Sequence, residues 1–245
     1  MQPLYLSPVF RANQMYMKKF LTIVLACFAL AAYSQKTEIQ TENRTIGSFT
    51  GVKAMEGVSV YLKKGDKESA RVEVSGTSPS NVLTEISGSY LKVHMRDGNY
   101  RNSNAKVYVT YVQVDKLSAS SAGSIYSDSP VKASSMEVSA SSAGTIEVTL
   151  EAGMVEVNAS SAGDVELKGK TKTLRVDVAS AGEADTYDLE AENVEAEAAS
   201  AGSAKINVTK SLEARASSGG SIRYRGNPDK QVTDSSSGGS VKKTN

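Results

Sequence analysis

Leu117-Ser118-Ala119-Ser120-Ser121-Ala122-Gly123 returns, with small changes, as Val138-Ser139-Ala140-Ser141-Ser142-Ala143-Gly144 and as Val157-Asn158-Ala159-Ser160-Ser161-Ala162-Gly163. The closing Ser-Ala-Gly or Ser-Gly-Gly recurs at Gly182, Gly202, Gly220 and Gly239, with spacings from 18 to 21 residues. A phrase repeated at one period marks a solenoid, in which each repeat is one structural unit. Two residues before the glycine stands a serine in every copy: Ser121, Ser142, Ser161, Ser180, Ser200, Ser218 and Ser237. Four before it the column reads Ala119, Ala140, Ala159, Val178, Ala198, Ala216 and Ser235, and two after it Ile125, Ile146, Val165, Ala184, Ala204, Ile222 and Val241. The intervening positions are mostly polar. That is the period-2 alternation of a half-buried strand on each side of a corner.

No single coil can bury its apolar side, but coils stacked about 4.8 Å apart can, because each strand then pairs with its equivalents above and below. The expected fold is all-β, a right-handed parallel β-helix. A left-handed helix built on hexapeptides holds to about 18 residues per coil, whereas the coil length here varies from 18 to 21. At the corner, Gly123, Gly144, Gly163, Gly182, Gly202, Gly220 and Gly239 are expected to supply a positive φ. The serine column is expected to point inward and to form a hydroxyl ladder along the axis, since a buried hydroxyl without a partner costs about 1–3 kcal/mol.

Residues 114–245 carry the coils. Residues 35–113 read as an all-β opening section, with alternating runs such as Val58-Ser59-Val60-Tyr61-Leu62, Tyr90-Leu91-Lys92-Val93-His94 and Lys106-Val107-Tyr108-Val109-Thr110-Tyr111. Its expected role is to cover the first coil and protect the open edge; Lys242 and Lys243 charge the other edge. Residues 1–34 read as a Sec-type signal peptide: Lys18 and Lys19, an apolar run from Phe20 to Ala32, then the small residues Ala32 and Ser34 flanking Tyr33. Residues 1–14 read as an upstream mis-start. Cys27, the only cysteine, sits in a loose lipobox-like context inside that run. The expectation is export to the periplasm, cell surface or medium, with no transmembrane segment in the mature chain. Without Arg11, Lys18 and Lys19 the chain keeps 25 basic against 27 acidic residues, which gives no footprint for nucleic acid.

Chemistry is sparse. His94 is the only histidine, so a Ser-His-Asp set has one candidate base, placed on an alternating strand outside the repeats. No cofactor is expected, and the chain reads as non-enzymatic. Two outward columns hold most of the charge. Three residues after the glycine come Tyr126, Glu147, Glu166, Asp185, Lys205, Arg223 and Lys242; one after it come Ser124, Thr145, Asp164, Glu183, Ser203, Ser221 and Ser240. Glu147, Asp164, Glu166, Glu183 and Asp185 are therefore the candidate ligands for a weakly held calcium ion. No substrate-gripping aromatics are expected in these columns.

Phe49-Thr50-Gly51-Val52-Lys53, Gly57-Val58-Ser59-Val60-Tyr61-Leu62, Gly65-Asp66, the Leu91-Lys92-Val93 and Val107-Tyr108-Val109-Thr110 strands and the Ser-Ala-Gly repeats resemble the auto-transporter adhesin head domain, or head GIN domain, over residues 46–226. The resemblance implies a bacterial cell-envelope β-helix with an adhesin-like role. The expected partner is a glycan or an envelope or surface protein, docked on a flat β surface. A polysaccharide-active enzyme and a purely structural envelope component are the alternatives.

Overall fold

The repeated corner is a turn of two consecutive left-handed residues. In the computed structural model, which describes residues 38–100 and 102–244, Ser121 and Ala122 have φ of 51° and 60°, and Ser161 and Ala162 have 50° and 59°. The amide of Gly123 donates to the carbonyl of Ser120 at 2.9 Å, and that of Gly163 to Ser160 at 2.8 Å. This is the hydrogen bond and the φ pair of a type I′ turn. The left-handed positions are thus the serine and its successor, not the glycine. Glycine is required for a different reason. A Cβ on Gly163 would stand 2.3 Å from the carbonyl oxygen of Ala140 one coil below, and a Cβ on Gly123 2.4 Å from that of Ala54. Each corner rests on the main chain of the corner beneath it.

The serine column also departs from expectation. Ser121, Ser142, Ser161, Ser180, Ser200, Ser218 and Ser237 are exposed, because a left-handed corner residue turns its Cβ away from the coil. A ladder does run along the axis, but through main-chain carbonyls. The amide of Ala122 donates to Ser142 O at 3.1 Å, Ala143 to Ser161 O at 3.2 Å and Ala162 to Ser180 O at 3.2 Å.

Seventeen strands form one sheet. The opening section supplies β1 (Gln40–Thr45), β2 (Gly51–Ala54), β3 (Ser59–Lys64), β4 (Ser69–Ser75), β5 (Val82–Ser87), β6 (Tyr90–Met95) and β7 (Asn104–Tyr111). The serine coils supply β8 (Lys116–Ala119), β9 (Ser124–Ser127), β10 (Val131–Ala140), β11 (Thr145–Ala159), β12 (Asp164–Val178), β13 (Glu183–Ala198), β14 (Ser203–Ala216), β15 (Ser221–Arg225), β16 (Lys230–Ser235) and β17 (Ser240–Lys243). The long strands bend around the coil, so that β11 pairs in parallel with β12 from Thr145↔Asp164 to Ala159↔Val178. Every inward residue from Leu117 to Ala216 in the columns above is buried, and the alternation read from the sequence is the alternation of the core. Apart from one 3₁₀ turn at Pro79–Asn81 there is no helix among the described residues, and no helix there is long and apolar enough to cross a membrane. The signal-peptide reading and Cys27 lie outside the described residues.

The opening section does more than cover an edge, for it contributes two coils of its own. β2 pairs with β8 on one side and β6 on the other, and β3 likewise with β9 and β7, all in parallel. The order up the stack is therefore β6–β7, then β2–β3, then β8–β9. The chain enters at the second layer, drops to the first, and returns above both. In the second layer Glu56 (φ 57°) and Gly57 (φ 74°) make the corner, and fully buried Val58 takes the position of the recurrent glycine. Valine fits because the layer beneath is open there: β6 ends at Met95, β7 begins at Asn104, and a space of about 370 Å³ lies between Glu56, Gly57, Met95, Arg96, Tyr100 and Ala105.

Antiparallel strands finish this end. β4 pairs with both β7 and β1, and β5 with β6. Arg44 of β1 ties them to the 3₁₀ turn, donating to Val82 O at 2.6 Å and Pro79 O at 2.8 Å. At the opposite end Lys242 and Lys243 lie on the terminal strand β17 as exposed charges, which blunts pairing with another edge.

The corner geometry gives neighbouring positions opposite responses. Gly163→Ala drives a methyl into the Ala140 carbonyl and should cost about 2 kcal/mol or more. Ala162→Gly relieves a left-handed residue and should gain a few tenths to about 1 kcal/mol. Thermal unfolding midpoints of the two variants should move in opposite directions from the parent.

Candidate functional site

The outward face of β7, β3, β9, β11, β12, β13, β14, β15 and β17 carries one continuous column. The strand register stacks Tyr108, Tyr61, Tyr126, Glu147, Glu166, Asp185, Lys205, Arg223 and Lys242 in that order. The stripe is aromatic at one end, acidic in the middle and basic at the other. With layers about 4.8 Å apart it spans roughly 40 Å.

The aromatic third is a ladder. Tyr61 stacks between Tyr108 (centroids 5.1 Å apart, planes at 21°) and Tyr126 (5.2 Å, 25°). These are offset-stacked distances. The outer face of Tyr108 is covered by the Arg71 guanidinium, 4.4 Å from the ring centroid, and Arg71 also pairs with Glu73 at 2.5 Å. All three rings are half-buried. The column read from the sequence held one aromatic, Tyr126, and the register adds Tyr61 and Tyr108 to it. Tyr61 and Tyr108 were hidden because their coils have no Ser-Ala-Gly corner and are stacked out of chain order. A signal was present: Ser59-Val60-Tyr61, Lys106-Val107-Tyr108 and Ser124-Ile125-Tyr126 share one pattern of polar, β-branched and tyrosine residues.

Two clefts flank the ladder. One, of about 610 Å³, lies beside Tyr61 and Tyr108 and is bordered by Arg44, Lys63, Arg71 and Asp128. The other, of about 280 Å³, lies where Tyr126 meets the acidic third, between Tyr61, Tyr126, Asp128, Glu147, Glu166 and Lys168.

In the acidic third the register places Glu147, Glu166 and Asp185 above one another, with Asp164 and Glu183 alongside. Lys205, first of the basic third, reaches back and donates to Asp185 at 2.9 Å and Glu183 at 3.0 Å. Those bonds, the Asp185 one foremost, push its pKa up, so it stays charged wherever the carboxylates are ionised. Lys168 takes Glu166 at 2.7 Å. Burial, and then the charges of Glu183, Glu166 and Asp185, raise the Asp164 carboxyl above the ordinary carboxylate range. The five candidate calcium ligands therefore share a face without converging. Among the described residues no group of three or more His, Cys, Asp or Glu is arranged to hold a metal ion. A flat sheet splays its carboxylates outward in parallel, and lysine ammonium groups take up three of them.

His94 stands half-buried on β6, with Nδ1 3.0 Å from Met95 O and 3.7 Å from Glu56, and with Nε2 3.6 Å from Glu85. It belongs to the capped end, away from the stripe, and among the described residues no serine or cysteine nucleophile is joined to it.

Residues 48–228 match the family "Putative auto-transporter adhesin, head GIN domain". The chain belongs to this family. Solved structures share the fold of this head GIN domain. A putative adhesin from Bacteroides fragilis has a TM-score of 0.72 at 18% identity, with 84% of this chain and 97% of that one covered. A putative adhesin from Parabacteroides merdae has 0.69 at 18%, with 86% and 98% covered. A putative lipid binding protein from Parabacteroides distasonis has 0.65 at 19%, with 86% and 98% covered. No curated protein matches the chain.

The charge pattern has a consequence for pH. Asp164 has a folded-state pKa above its unfolded one, so its ionised form is the disfavoured one in the fold. That penalty is present at neutral pH and absent below the unfolded pKa. Asp164→Asn should raise the thermal midpoint near neutral pH, and the gain should vanish at roughly pH 3.

Proposed function

We propose that this head GIN domain is an exported, non-catalytic envelope module that holds a glycan or a surface protein against its stripe. The observation that carries the reading is the tyrosine ladder. Three stacked rings on an otherwise polar sheet face form a rigid amphipathic platform, ordered by stacking before any partner arrives, and such preorganisation lowers the cost of binding. The clefts on either side supply cations at one and carboxylates at the other, which fits a partner that must be oriented as well as held. The adhesin family name agrees with a docking role. Catalysis is poorly served: the acids of the stripe lie on a flat face, several of them paired to lysine, and the one histidine is elsewhere.

The test is retention on intact bacterial cells and on a glycan array. Tyr61→Ala and Tyr108→Ala should each weaken retention by about tenfold, the loss expected on removing a central aromatic anchor. Met154→Ala, at an exposed residue outside the stripe, should leave it unchanged. Turnover of an acidic or neutral polysaccharide that disappears in Glu147→Gln or Glu166→Gln would refute the non-catalytic reading.

A further inference from the structure

The two faces at the ends of the tyrosine ladder are not equivalent. At one end the face of Tyr108 carries a guanidinium of the chain itself, Arg71 at 4.4 Å. Elsewhere on the solenoid the ring of Tyr187 carries Arg225 at 4.0 Å. At the other end Tyr126 faces the 280 Å³ cleft, and among the described residues no arginine or lysine lies over its ring. The cleft is walled on the opposite side by Glu147, whose Cα is the register partner of Tyr126 one layer up, and at its border by Asp128. Among the described residues neither carboxylate has an ion-pair partner, whereas Glu166, which also borders the cleft, is held by Lys168 at 2.7 Å. An aromatic face opposed by free carboxylates across a small cleft is the complement of a flat cation. Of the common cations, guanidinium fits best, because it is planar, stacks on a ring, and presents a fork of N–H donors at its edge to carboxylates. An ammonium has no face to stack.

We propose that the cleft over Tyr126 is a guanidinium subsite, which takes an arginine side chain of a partner protein and completes at this end of the ladder the stack that Arg71 makes at the other. The proposal rests on the docking reading of the stripe and specifies its chemistry. The arginine lies on the Tyr126 ring while Glu147 and Asp128 receive its N–H groups. Lys168, which lines the cleft and is bound to Glu166, closes off the rest of the acidic third, so the subsite admits one cation and not a row of them.

The test follows the Tyr126 ring resonances of ¹³C-tyrosine-labelled protein during titration with N-acetyl-arginine amide. The neutral isostere N-acetyl-citrulline amide and the amino sugar glucosamine are run in parallel. A saturable shift with the arginine compound, with Kd on the order of millimolar, and none with citrulline is the expected result. Glu147→Gln and Asp128→Asn should each weaken it by about fivefold, the loss of one exposed charge pair. Tyr126→Phe, which keeps the ring, should leave the arginine affinity close to the parent value when followed on neighbouring Tyr61. An equal response to citrulline, or arginine binding unchanged in both carboxamide variants, overturns the proposal. A response to glucosamine alone also overturns it, in favour of a sugar ligand. If arginine fails to bind while retention on cells still depends on Tyr61, the subsite falls and the docking face stands. If arginine binds while retention ignores the stripe, the docking reading falls, and the protein-partner assignment falls with it.

Discussion

Everything in this fold depends on how closely one corner sits on the next. A Cβ at the recurrent glycine would lie 2.2 to 2.5 Å from a carbonyl oxygen of the coil beneath, so the main chains touch there with no side chain between them. That contact fixes both the height and the rotation of each coil relative to the last. The residues just after each corner are thereby held in register from Ser124↔Thr145 to Ser221↔Ser240, and the differences in coil length are taken up further along, as register shifts between Glu166 and Gly169, Thr186 and Glu190, and Ala191 and Asn193. The small core follows from the same restraint, because narrow coils of alternating strands have room for Ala, Val, Ile and Leu and for little that is larger.

Register turns a repeat into a surface. Any residue placed at one outward position becomes a column about 4.8 Å in pitch, and a change of residue type from coil to coil writes a pattern along the axis. Here the pattern is aromatic, acidic and basic in thirds. Stacking benefits the tyrosines, which gain contact from like neighbours, and it burdens the acids, which repel. The structure meets the burden locally: Lys205 bridges two acids from the layer above, Lys168 takes a third, and Asp164, raised in pKa first by burial and then by its acidic neighbours, carries a share of the repulsion. The aromatic third needs no such correction, and its rings present ordered apolar edges to solvent.

The repeat made most of this legible in the sequence. Alternation about Ala140, Val157 or Ile146 gave inward and outward positions directly, and alignment on the glycines gave seven members of the stripe in their true order. Two features were not legible, for physical reasons. An unvarying residue reads as a buried one, yet Ser161 is constant at an exposed left-handed turn, where its carbonyl and not its hydroxyl carries the ladder. The layers built by β2–β3 and β6–β7 lack the recurrent Ser-Ala-Gly corner: a loop joins β6 to β7, and the opening it leaves removes the obstacle that would exclude Val58 from the glycine's place. Without that marker neither their register nor their inverted order could be counted from the chain. The ladder of Tyr108, Tyr61 and Tyr126 exists only in that inverted order.

The order of the lowest three layers is thus the claim on which the site stands, and cross-linking reads it directly. Lys106, Ser59 and Ser124 occupy one outward column in successive layers. With Cys27 changed to Ser, paired cysteines can be introduced two at a time. Neighbours about 4.8 Å apart lie within disulfide reach, and residues two layers apart do not. The account predicts that Lys106→Cys with Ser59→Cys, and Ser59→Cys with Ser124→Cys, oxidise readily to an intramolecular disulfide, while Lys106→Cys with Ser124→Cys does not. A disulfide between positions 106 and 124, with none between 59 and 124, would mean that the layers follow the chain, and would contradict the tyrosine ladder and the site built on it.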